Sequence, residues 1–139
     1  MFISSRPNVI IGVTMSKYLG DMIYSENRVP PKYASKAASH TPRIDAPDRV
    51  RPGEDFTLKI VVGPHPNTVD HSIRWIDVFL YEEGREFNPI HIARILLEAG
   101  YTLPEVTLKM RIQKRSVVHA VSYCNLHGLW EARKEIDVE

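Results

Sequence analysis

The amino-acid sequence predicts an all-β domain, an antiparallel sandwich or barrel, carried behind an N-terminal arm. Two segments and one absence lead there. In DFTLKIVV, Phe56, Leu58, Ile60 and Val62 alternate with Thr57, Lys59 and Val61; in EVTLKMRIQ, Val106, Leu108, Met110 and Ile112 alternate with Thr107, Lys109, Arg111 and Gln113. Successive side chains of a strand point to opposite faces, so each run lays one apolar row on a pleated surface. No long run carries a helical period, and short strands separated by turn signals pack as sandwiches or barrels.

Taken in order, residues 1–39 read as an arm and loop. LGDMIYS can make a short helical turn, and NRVPPKYASKAASHTP is a Pro-, Ser- and Ala-rich connection. Residues 40–139 form the domain. SIRWIDVFLY and SVVHAVSYC are β-branched and aromatic, the composition of strands covered on both faces. RPGED, EEGREFNP and AGYTLPE supply turns. HIARILLEAG has apolar spacing that also fits a helix, and strand is the reading adopted. In such a fold, function sits in loops held by rigid sheets.

Composition narrows the classes of function. The 139 residues suffice for one domain that buries about two thirds of its unfolded surface. Eighteen basic against 17 acidic residues give a net charge of +1, without the one-sided basic balance of a nucleic-acid binder. No stretch approaches the roughly 18 apolar residues of a membrane span, and MFISSRPNVIIGVTMS lacks a cleavage signal. A single cysteine forms no internal disulfide, so a functional thiol is expected to stay reduced in the cytoplasm.

Six histidines stand at 40, 65, 71, 91, 119 and 127. His40, His65, His71 and His127 neighbour Pro, Asn or Gly and read as loop residues, whereas His91 and His119 lie inside apolar runs. In SYCNLHGLW, Cys124 and His127 are three residues apart, a turn in which thiolate and imidazole reach one ion while backbone N–H groups point at the sulfur. The same cysteine could equally be a small buried apolar residue. A structural zinc site closes at four ligands and usually carries more thiolates. Blue copper takes two His, one Cys and a weak axial Met, which leaves two histidines unexplained. A non-catalytic scaffold that keeps a metal is the third alternative.

VGPHPNTVDHSIRWIDVF and AVSYCNLHGLWE, in that order, resemble the superoxide reductases of the neelaredoxin and desulfoferrodoxin family, with the pattern H-P-N-x-x-x-H-x-I-x-W-I followed by S-Y-C-N-x-H-G-L-W. SHTPRI falls where that family has its first histidine. The resemblance implies an immunoglobulin-like β-sandwich and one non-haem iron, with His40, His65, His71 and His127 as equatorial ligands and Cys124 as the axial thiolate. It implies reduction of superoxide to hydrogen peroxide as iron passes from Fe(II) to Fe(III), with no oxygen released. It also implies an external electron donor such as rubredoxin, and assembly into dimers or tetramers. The family's Glu-Lys pair before the first histidine is replaced by Ala38 and Ser39. Lys36, Lys32 and Glu26 are the charged residues of the arm that could stand in, and Lys36 is the candidate catalytic residue.

Overall fold

The computed structural model describes residues 17–139. Its strands are β1 (Arg43–Asp45), β2 (Arg49–Val50), β3 (Phe56–Val61), β4 (Ile73–Glu82), β5 (Ile90–Leu96), β6 (Glu105–Met110), β7 (Ser116–Cys124) and β8 (Gly128–Val138). They form a three-stranded sheet, β1-β3-β6, and a five-stranded sheet, β2-β8-β7-β4-β5. The two alternating segments are neighbours, β3 and β6, paired antiparallel with Leu58 opposite Leu108. Phe56, Leu58, Ile60, Val106 and Met110 meet Ile76, Val78, Leu80, Val118, Ala120 and Ile136 of the larger sheet in one core. Burying each of the larger of these side chains, all but Ala120, stabilises the fold by about 1.5–3 kcal/mol. HIARILLEAG resolves as a strand over β5, paired with β4 through a bulge between Val78 and Phe79.

One pairing departs from the antiparallel rule: β2 runs parallel to β8. Farther along the same edge Tyr24 makes a parallel bridge, its N–H donating to the Leu129 carbonyl (2.9 Å) while the Glu131 N–H donates to the Tyr24 carbonyl (2.8 Å). The arm is thus stitched to β8.

LGDMIYS makes a 3-10 turn, Leu19–Met22. The Pro/Ser/Ala-rich connection corrects its reading as a loop, because after a 3-10 turn at Pro31–Tyr33 a helix, α1, spans Ala34–His40. Three of its seven residues are alanines, the best helix formers, and Pro31 precedes the helix, where its missing N–H costs nothing. Pro42 then stops it. His40 therefore ends a helix, held there by the Thr41 N–H donating to the Ala37 carbonyl at 2.9 Å. MFISSRPNVIIGVTMS lies outside the described residues, among which no helix is long and apolar enough to cross a membrane.

Candidate metal centre

Three chain segments converge at one end of the sandwich. The first is the last turn of α1, with His40. The second is the loop between β3 and β4, with His65 and His71. The third is the turn between β7 and β8, with Cys124 and His127. Local sequence sets each.

Gly63, at φ 118°, opens the second segment, and a side chain there would place its Cβ 2.9 Å from the His65 backbone nitrogen. Only glycine suits that backbone and that closeness. A tight turn then presents His71, with the Thr68 N–H donating to the His71 carbonyl at 2.9 Å. In the third segment Gly128, at φ 81°, lets the chain reverse directly after His127 and pair Cys124 with Gly128.

The four imidazoles close a ring in the order His40, His65, His71, His127. Neighbouring centroids are 4.6, 4.7, 5.1 and 5.1 Å apart, and neighbouring planes cross at 73–89°. Nitrogens face inward: His40 Nε2 is 3.2 Å from both His65 Nε2 and His127 Nδ1. Cys124, fully buried, brings its sulfur to 3.7 Å from His127 Nδ1. Ligand atoms of His40, His71, Cys124 and His127 all lie within 4.8 Å of one another.

The outward nitrogens fix the tautomers. His40 Nδ1 donates to the Lys36 carbonyl (2.8 Å) and His65 Nδ1 to the Pro66 carbonyl (2.7 Å), which leaves a lone pair on each inward Nε2. Burial lowers His40 to about 4, against the raising effect of its bond to Lys36, with the charges of His65, His127 and Lys36 adding to the lowering. Burial is also the main reason that His65 and His127 titrate below the ordinary imidazole value. Neutral rings are what a cation requires of its ligands.

His71 Nε2 is buried with no partner, although a buried polar atom without one is costly. Inward lone pairs, an orphaned nitrogen and a buried thiol together fit a transition-metal ion. The grouped donors, three imidazoles and one thiolate, already exceed the two-His blue-copper set and carry less sulfur than is usual for structural zinc; His65 is outside that group, with its Nε2 3.2 Å from His40 Nε2.

Further contacts hold the ring in place. The His127 N–H points at the Cys124 sulfur (3.4 Å), the sulfur-directed donor expected of the turn. Trp130 Nε1 donates to the His127 carbonyl (3.0 Å), and Ser122 Oγ to the His40 carbonyl (2.8 Å). Asn125 ties two of the segments together: its Oδ1 accepts from the Ser72 N–H and its Nδ2 donates to the Asp70 carbonyl, both at 2.9 Å. Sequence reasoning passed over the Asn125 and Ser122 side chains. The available signal was an Asn immediately after a candidate ligand in a turn, where such side chains bond backbone.

Of the arm's charges, Lys36 lies one helical turn before His40. It lines a hollow with His127, and its charge lowers both histidines. Lys32 instead sits over the Tyr33 ring, 5.0 Å from its centroid. Glu26 lies in another cavity, with His119 and Glu131. His91 and His119 stand apart from the ring, paired with Asp77 (3.1 Å) and Glu131 (2.7 Å).

The desulfoferrodoxin family model matches residues 32–133. A superoxide reductase (neelaredoxin) structure from Ignicoccus hospitalis superposes with a TM-score of 0.84 at 51% identity, covering 88% of this chain and all of that one. A protein of Thermotoga maritima is 41% identical over 119 residues, spanning 75% of this chain and 90% of its own. The neelaredoxin of Megalodesulfovibrio gigas is 32% identical over 116 residues, 73% of this chain and 88% of its own.

Proposed function

The chain belongs to the desulfoferrodoxin family, and from that premise we propose that it is a superoxide reductase. In this reading His40, His65, His71, His127 and Cys124 would together hold one non-haem iron. The observation that carries the reading is the closed imidazole ring with its inward lone pairs, set beside a buried thiol. When bound, iron would supply one electron to superoxide, which with two protons gives hydrogen peroxide while Fe(II) becomes Fe(III).

The chain's own residues prepare that chemistry. The Pro66 and Lys36 carbonyls orient two rings, and the Asn125 bridge keeps the second and third segments in register. The His127 N–H aimed at sulfur moderates the thiolate's electron donation and thereby the metal's potential.

Ala38 and Ser39 occupy the place of the usual Glu-Lys pair, and neither can cap a cation or attract an anion. Lys36 takes the second task. Its place in the lining of the hollow with His127 and its charge effect on that histidine support a role in raising the local concentration of a small anion and in supplying a proton. Glu26 does not take the carboxylate task, since it lines another cavity, with His119 and Glu131. The electron is replaced from outside by a carrier such as rubredoxin. Cytoplasmic reducing conditions keep the thiol free, and assembly into dimers or tetramers follows the family.

The test is a superoxide pulse on the anaerobically reduced, iron-loaded protein, following thiolate-to-iron absorption and the yields of peroxide and oxygen. Rapid oxidation with peroxide and no oxygen is expected. An unresponsive metal, or oxygen as a product, would overturn the proposal.

A further inference from the structure

Ser39 stands one residue before His40, and its hydroxyl is committed to that ring. Ser39 Oγ lies 2.9 Å from His40 Nδ1 and 3.2 Å from the Lys36 carbonyl oxygen, and His40 Nδ1 lies 2.8 Å from the same oxygen. Three polar atoms thus close a triangle on the outward edge of the imidazole.

Hydrogens fit that triangle in few ways. The Lys36 carbonyl only accepts, and its two lone pairs can take one hydrogen from the serine hydroxyl and one from the imidazole. With its own hydrogen turned to the carbonyl, Ser39 Oγ offers a lone pair to Nδ1, whose N–H is then shared between two acceptors. A bare Nδ1 would instead face the carbonyl oxygen at 2.8 Å, lone pair against lone pair. The triangle therefore keeps the proton on Nδ1 and the lone pair on Nε2, which is 3.2 Å from both His65 Nε2 and His127 Nδ1.

A serine in a helix often bonds back to the carbonyl three residues earlier, and that bond alone would be a scaffold feature. The contact with the ring nitrogen of the following residue goes beyond that habit. An acceptor on the far nitrogen of a ligating imidazole fixes the ring and raises its basicity. His65 has one such acceptor, the Pro66 carbonyl, whereas His40 has two.

We infer that Ser39 is a positioning residue for His40: together with the Lys36 carbonyl, its hydroxyl locks the tautomer and orientation of the ring and strengthens the ring's donation to a bound metal. The inference rests on the metal-site reading above. Ser39, which stands where the family has lysine, thereby acts on the metal through a ligand and not through charge.

Ser39→Ala and Ser39→Thr, each in the full chain, separate this role from a helix-end one, since threonine keeps an oxygen able to bond a carbonyl one turn back. In zinc-loaded protein, nitrogen-15 spectra of the His40 ring read the tautomer and the Nδ1–H bond without redox chemistry. In Ser39→Ala the Nδ1–H resonance should shift, its exchange with water should quicken, and zinc affinity should fall about three- to tenfold, less than the usual range for such partners because the Lys36 carbonyl remains. In iron-loaded protein the midpoint potential should rise by about 30–60 mV, a three- to tenfold weaker preference for the oxidised ion at about 59 mV per tenfold. Ser39→Thr should restore all of these towards wild type. An unmoved Nδ1–H resonance and potential in Ser39→Ala, or a threonine variant that behaves like alanine, would overturn the proposal. The expected shifts in a protein that ignores superoxide would instead uphold the role of Ser39 and sink the functional reading.

Discussion

Replacing Asn125 by alanine removes both of its side-chain bonds to the β3–β4 loop and leaves the backbone bond from the Asn125 N–H to the Ser72 carbonyl (3.3 Å). Ser72, whose N–H bonds Asn125 Oδ1, is 0% exposed, so water cannot replace the lost acceptor. Two ordinary hydrogen bonds contribute about 1 kcal/mol each, and a buried N–H left unpaired costs about 1–3 kcal/mol. The expected loss is about 2–4 kcal/mol, read in the metal-free protein from denaturant unfolding and from hydrogen exchange at the Ser72 amide. Because His65 and His71 stand on the loosened loop, metal affinity should fall about 10–100-fold. Asn125→Asp keeps the acceptor for Ser72 but sets a carboxylate oxygen against the Asp70 carbonyl, and should fall between wild type and alanine. A loss below about 0.5 kcal/mol with unchanged metal affinity in Asn125→Ala would refute the bridge.

Other perturbations separate chemistry from scaffold. Cys124→Ala should still fold, at a cost of about 1–2 kcal/mol for a small cavity, while the thiolate-to-iron absorption disappears from the loaded protein. Lys36→Gln should slow superoxide consumption several-fold at low ionic strength and approach wild type in high salt, as expected when a single steering charge is lost; an equal deficit at all salt concentrations would remove Lys36 from steering. Asp77 is buried, and its bonds from Arg94 at 2.8 and 2.6 Å, aided by His91, hold its carboxyl below the ordinary value. A lowered carboxyl stabilises the fold above its unfolded pKa of about 4 and loses that contribution as pH falls through the lower folded value. Asp77→Asn should therefore cost about 2–3 kcal/mol at pH 7, less than a wholly buried pair because Arg94 is half exposed, and the gap to wild type should close below pH 4.

Local patterns were legible in the sequence, and long-range ones were not. The β3 and β6 rows follow from alternation alone, and His65, His71, Cys124 and His127 stand in two short motifs whose turns need nothing from elsewhere. His40 reads as a loop residue because Pro30, Pro31 and Pro42 mask a seven-residue helix, too short to show an apolar period and stabilised by packing Ala37 and His40 inward. The parallel pairing of β2 and of Tyr24 with β8 depends on which sheet edge remains free after the longer strands have paired. Asn125 has no pattern of its own; its role exists only once Ser72 and Asp70 arrive beside it.

His40 and His127 touch across 87 residues of chain. A chain emerging from the ribosome therefore carries no complete cage until its last strands have been made, and the unfolded polypeptide has only scattered donors to offer. Redox-active iron bound loosely to a half-made chain would generate damaging radicals from peroxide. With the first and last residues of the candidate centre so far apart in sequence, a metal ion finds its full set of donors only when the fold is finished, and on the proposed reading metal loading becomes a report on correct folding.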